Sequence, residues 1–491
     1  MRRFLLVALF LFLPARARPG QAADPSPAAP SLSPVVKSFV TVDSPVFALA
    51  HVKVIDGTGA PPLDDQTILV DHGRIESIGP AAATPAPAGA KVMELRGYTV
   101  VPGLVGMHDH LVYPIDFASA RGPEALPLYG EMGFSFPRLY LACGVTSIRT
   151  TGSLDPYTDL ELKKWVDEGR LPGPKIHITG PYLEGVGAYT PQMHELSGPD
   201  DARRMVEYWA GEGVTSFKAY MHITRAELTA AIEAAHRRGI KVTGHLCSIG
   251  FREAAALGID DLEHGLLVDT EFVPDKKPDA CPPGKAASES VAKLDLESAR
   301  FQDMIHDLVQ HHVAVTSTLP VFETFLPKQS HLDERVLDVL APEARLDYLT
   351  SRTRTEQRTG SSFPEEFKKE MQFERMFVKA GGLLLAGEDP TGYGGVLAGF
   401  GDQREVELLV EAGFTPVEAI HIASSNGAQF LDESDHIGTL APGKQADLVL
   451  IHGDPAAKIA DIEKVDTVFK DGVGYDSAKL IDSVRGVVGR R

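Results

Sequence analysis

The sequence predicts an α/β protein: a (β/α)8 TIM barrel with a small β-sandwich domain built from both terminal segments. Three observations predict it. Short apolar runs at 104–108, 145–150, 175–180, 214–220, 241–245, 261–264, 313–319 and 383–387 read as strands, with helical stretches between most of them. That alternation fits a barrel better than an open sheet. β-rich runs broken by Gly, Pro and Asp turns stand at both ends: "FALAHVKVIDGTG", "QTILVDHGRIESIG" and "KVMELRGYTVVPG" in front, "ADLVLIHGD" and "VDTVFKDGVGYD" behind. The length, 491 residues, suits one large barrel with an accessory domain.

The chain is read in order as follows. Arg2 and Arg3 precede an apolar run from Phe4 to Leu13, and small residues follow at Gly20, Ala22 and Ala23. That order predicts a signal peptide over 1–23 and an exported protein, periplasmic or secreted. Residues 24–45, rich in Pro, Ala and Ser at their start, read as a linker. Residues 46–101 and 437–491 are the two parts of the β-sandwich domain, and 102–436 is the barrel. Within it, 225–238 carries its apolar residues on one face, and "GFREAAALG" reads as a short helix stopped by Gly258. Two long connections, 267–297 and 320–381, follow the sixth and seventh strands and fall on the catalytic face of such a barrel.

Composition excludes several function classes. Lys and Arg total 48 against 67 Asp and Glu, a net charge of −19, which repels phosphate backbones and argues against a nucleic-acid partner. Loss of residues 1–23 removes four arginines and no acid, leaving −23. No apolar run approaches the ~20 residues of a membrane helix, so no membrane association is expected after signal cleavage. Three cysteines are too few for a disulfide framework; Cys247 reads as packing, and an odd count leaves at least one free thiol, most simply a buried one.

The chemistry lies in the histidines. His108 and His110 end the first strand two residues apart, so both imidazoles face one side, as a shared metal requires. Lys218 on strand 4, His245 closing strand 5, His264 closing strand 6 and Asp389 after strand 8 occupy the corresponding ends of other strands. Active sites on this architecture collect residues from several strand ends at that face. Tyr220 and His222 share strand parity with Lys218, and His194 lies in a loop on the same face; all three are candidates to bind substrate. Arg149, near the end of strand 2, reads as a structural ion pair or as a grip for a substrate carboxylate.

"VVPGLVGMHDH", the strand-4 lysine, the two later histidines and "GEDP" resemble the amidohydrolase superfamily, as do "VIDGTG" and "VDHGRIESIG" in front and "IGTLAPGKQADLVLI" behind. "GPYLEG…FKAYM…TGHL…LEHG" is most similar to the imidazolonepropionase-related branch with Xaa-Pro dipeptidase-like carboxypeptidases and ochratoxin-type amidases. The resemblance implies two divalent metals, zinc by expectation. His108 and His110 would hold one with Asp389, and His245 and His264 the other. Lys218, carboxylated by CO2, would bridge them: an ammonium repels cations, whereas a carbamate offers two anionic oxygens. Asp389 would take a proton from the metal-bridging water and pass it to the leaving amine. Glu388 stands where Thr or Ser is common, and is held in reserve as ligand or base.

The resemblance therefore implies hydrolysis of the amide bond of a dipeptide or N-acyl amino acid, a small-molecule substrate with a free carboxylate. It leaves a homo-oligomer open. The alternative keeps the same two-metal site and hydrolyses a lactone or phosphoester. A one-metal deaminase is disfavoured because no acid follows His245 in "HLCSIG". A binding protein without catalysis would have lost ligands, and none is lost.

Overall fold

The structure, a computed structural model, describes residues 31–116, 127–327, 332–392 and 394–489. The signal peptide and most of the linker expected over 1–45 lie outside the described residues. Among those described, no helix is long and apolar enough to cross a membrane.

The eight strands predicted in the middle are all present. They are β1 (Leu104–Asp109), β2 (Val145–Thr150), β3 (Lys175–His177), β4 (Ser216–Ala219), β5 (Lys241–Gly244), β6 (Asp261–Glu263), β7 (Ala314–Ser317) and β8 (Leu384–Ala386). All pair parallel and in chain order, β1 to β3 in one sheet and β4 to β8 in another. Nearly every residue of these strands is buried, as expected of parallel strands covered on both faces.

A closed barrel was expected, and the hydrogen bonding is less complete. Between β3 and β4 only the isolated bridges Thr179–Ser216 and Leu183–Ala219 occur. On the other side the Asp389 N–H donates to the His108 carbonyl at 3.0 Å, just past the ends of β8 and β1. The architecture is a mixed α/β fold with two parallel sheets. The physical reason is the shortness of β3 and β8, which leaves too few residues for a full ladder at each seam. Gly387 permits the second approach, since a Cβ there would lie 2.4 Å from the His108 backbone nitrogen.

Helices cover the sheets for the reasons their sequences suggest. Arg225–His236 buries Leu228, Ala231, Ile232 and Ala235 on one face. Thr224 and Glu227 form a reciprocal capping box at its start. Thr224→Ala removes that cap at a cost of about 1 kcal/mol. Phe251–Leu257 ends on Gly258 in the left-handed region (φ 95°), where glycine alone is unstrained.

Both terminal segments build one sheet. Leu448–His452 pairs antiparallel with Tyr98–Pro102, joining the C-terminal strands to the N-terminal ones. The sheet has nine strands and includes Val40–Val42, within the stretch expected to be linker. That strand pairs with Val473–Asp476 because Val42 finds an apolar partner surface there. Alternation buries Phe47, Leu49, Val100, Leu448, Leu450 and Phe469 in one cluster, with Phe47 stacked on Phe469 at 5.0 Å. Hydrogen bonding joins these strands into a single sheet, where two stacked sheets were expected.

Candidate active site

The six residues predicted as metal ligands all line one cavity of about 210 Å³ beyond the C-terminal ends of the parallel strands. Extension of β1 carries His108 and His110 to its rim; β4 carries Lys218, and His245 and His264 follow β5 and β6 directly. His264 (φ 70°) and Asp389 (φ 52°) adopt the left-handed backbone that non-glycine residues avoid, a strain that the surrounding packing holds in place.

Distances are short. Lys218 Nζ lies 3.2 Å from His108 Nε2. Asp389 carboxylate oxygens lie 3.6 Å from His108 Nε2, 3.7 Å from His110 Nε2 and 3.9 Å from His264 Nε2. The His245 and His264 ring centres are 4.4 Å apart. One ligand atom each from His108, His264 and Asp389 falls within 4.8 Å of the others.

The imidazoles are prepared as ligands. His108 Nδ1 bonds to Glu263 Oε2 at 2.7 Å and His264 Nδ1 to the Thr318 hydroxyl at 2.8 Å. With Nδ1 so engaged, Nε2 faces the cavity with its lone pair. The buried Nε2 of His264 has no hydrogen-bond partner, as a metal ligand awaiting its cation would show. Burial, then the Lys218 charge, holds the His108 and His245 rings well below the usual imidazole range, and burial brings His110 down to about 3. Neutral imidazoles are the ligating form. Burial also lowers Lys218 to about 8 and raises Asp389 to about 6. The converging ligand atoms of His108, His264 and Asp389 therefore fit a divalent cation.

Residues 387–474 match the amidohydrolase family. The match contains Asp389 and the strands Leu448–His452 and Val465–Lys470 of the terminal sheet. The imidazolonepropionase of Cupriavidus necator is 28% identical over 275 residues, 47% of this chain and 65% of that protein, so the chain spans just under two thirds of the relative's length. Among solved structures, bottromycin amidohydrolase superposes with a TM-score of 0.67 at 21% identity, covering 94% of this chain and 95% of that one. A Xaa-Pro dipeptidase with bound methionine gives 0.64 at 20% identity, covering 88% and 100%. These two likenesses establish a shared fold.

Against this amidohydrolase match the remaining residues sort as follows. Tyr220 lines the cavity, its ring 4.9 Å from that of His245. His194 and His222 do not line it. His194 is exposed and bonds through Nε2 to Asp201 at 3.0 Å. His222 lies beyond the end of β4, its Nδ1 3.5 Å from Glu184. Arg149 is fully buried, with Nη2 donating to Asp261 and Glu263 at 2.9 and 2.8 Å, so the ion-pair reading holds and no carboxylate grip is available there. Glu388 faces away from the cavity into a buried cluster with Asp109 and Asp402. Cys247 is disulfide-bonded to Cys281, which corrects the expectation that it only packs; the buried free thiol is Cys143. The bond ties the 267–297 segment to the loop after β5.

Sequence reading missed Glu263, Thr318, Tyr182 and Phe322. Glu263 had a signal: Asp261 and Glu263 alternate on a strand that is otherwise buried, and two buried acids on one face demand a cation or an N–H. Phe322 had none, since the connection after β7 shows no period that points its ring at the site.

Proposed function

We propose that this protein is a metal-dependent hydrolase cleaving an amide C–N bond with two divalent metals, zinc by preference. The observation that carries the proposal is the meeting of His108, His110, Lys218, His245, His264 and Asp389 around one cavity, where the buried Nε2 of His264 has no hydrogen-bond partner. The amidohydrolase match and the names of the relatives, a Xaa-Pro dipeptidase among them, support the same bond class.

His108, His110 and Asp389 would hold one cation and His245 and His264 the other. Bound there, such cations supply Lewis acidity and water acidified toward neutral pH. The chain's own residues do the rest. Lys218, brought to about 8 by burial, carries a fraction of neutral amine at pH 7 to 8. Its Nζ lone pair would attack CO2, forming a C–N bond as one C=O π bond opens and releasing one proton to solvent, and the carbamate would offer anionic oxygens as ligands. Asp389, raised to about 6, is poised to accept a proton and deliver it to the leaving nitrogen. Tyr220, which lines the cavity, would donate its phenol hydrogen to the carbonyl oxygen of the substrate.

The test is amide hydrolysis by zinc-loaded protein prepared in bicarbonate, against matched lactones and phosphotriesters. Faster turnover of an amide is expected. Faster turnover of a lactone or phosphotriester would move the protein to the other bond class.

A further inference from the structure

The walls of the cavity differ in character from its floor. The floor holds the six polar ligands. On one side stand Tyr129, Tyr182 and Tyr220, with the Tyr182 and Tyr220 rings edge to face at 4.9 Å and Tyr182 6.5 Å from the His110 ring. On the other stand Val321, Phe322 and Phe325, with Phe322 edge-on to His264 at 5.6 Å and to Phe325 at 5.9 Å. Aromatic rings thus flank the ligand floor beside both His110 and His264.

Among the described residues that line the cavity, Lys218 is the one Lys or Arg, and its Nζ already lies 3.2 Å from His108 Nε2 within the ligand set. Two nearby cations are engaged elsewhere. Arg149 is buried against Asp261 and Glu263, and Lys276 donates to the Ser248 carbonyl outside the cavity. A carboxylate pressed against either aromatic wall, away from the ligand floor, would lose its hydration without gaining a Lys or Arg counter-ion among the described lining residues. The net charge of −19 opposes an anion at long range as well.

We infer that the substrate is an electrically neutral amide with an aromatic or bulky apolar group on each side of the scissile bond, in place of a free dipeptide or N-acyl amino acid. This rests on the amide-hydrolase reading above and narrows its substrate class. Aromatic walls favour such groups through burial and edge-to-face contact, and neutrality avoids the desolvated charge.

The experiment compares N-benzoylleucine with its carboxamide on zinc-loaded full-length protein, following the primary amine released from the acyl group (leucine or leucinamide), with N-acetylglycinamide, read as glycinamide release, as the small neutral control. The carboxamide should show a kcat/KM at least tenfold above the free acid and above the control. Phe322→Leu, which keeps an apolar side chain for folding, should raise KM for the benzoyl substrate several-fold with unchanged metal content and little change in kcat. Equal or faster turnover of the free acid overturns the inference and leaves the amide-hydrolase reading standing. Turnover of none of the three overturns that reading, and the inference falls with it.

Discussion

His108 and Glu263 are joined by a 2.7 Å hydrogen bond between Nδ1 and Oε2, with both side chains wholly buried. The second oxygen of Glu263 accepts from Arg149, which also reaches the Met107 carbonyl, so the orientation of the ligand is fixed by three strands at once. A carboxylate in this position sets the tautomer and raises the basicity of Nε2. Glu263→Gln should therefore lower metal affinity by about 10- to 100-fold. Chelator competition on folded variant protein measures it, and wild-type affinity would remove Glu263 from the account.

Asp389 and Glu388 are adjacent in sequence and separate in role. Asp389 lines the cavity, and its Oδ1 accepts from the Thr391 hydroxyl at 2.6 Å. Asp389→Asn keeps the shape and loses the proton acceptor, so kcat should fall by roughly 10²- to 10⁴-fold. Glu388→Gln should leave kcat near that of wild type, because its carboxyl does not line the cavity. Steady-state kinetics on both variants decide the matter; a dead Glu388→Gln beside an active Asp389→Asn reverses the roles.

Stability should fall with rising pH through a buried acid pair. Glu131, on the strand Leu128–Glu131, has both carboxylate oxygens buried without a hydrogen-bond partner. Burial, then repulsion from Asp159, pushes Glu131 up to about 10, and burial brings Asp159 to about 7. The folded state therefore keeps protons that the unfolded state sheds near the ordinary carboxylate range. The stability this gives is complete below that range and is lost as pH climbs through 7 toward 10. Tm should drop more between pH 6 and 9.5 in wild type than in Glu131→Gln; parallel Tm curves would contradict this.

Much of the strand framework was legible because its signals are local. Eight apolar runs between turn residues gave the parallel strands to within a few residues, and the ligand positions followed from their ends. The seams were not legible: whether β3 reaches β4 depends on ladder lengths that only the assembled fold sets. Nor could the sequence show that His264 and Asp389 take left-handed backbone, since neither neighbours a pattern that requires it. His194 was expected in the site from its loop, but Asp201, seven residues on, captures it. Glu388 looked like a rival ligand because adjacency along the chain carries no direction. One residue past a strand end turned Asp389 inward and Glu388 outward. Cys247 and Cys281, 34 residues apart, were brought to 5.1 Å between Cα atoms by a connection without readable period.

The most direct test is metal analysis of active protein purified in bicarbonate, alongside Lys218→Ala. The account predicts two divalent ions per wild-type chain, with metal and activity lost together in Lys218→Ala because the bridging anion is gone. A single ion per chain in fully active wild-type protein, or two ions and full activity in Lys218→Ala, would contradict it.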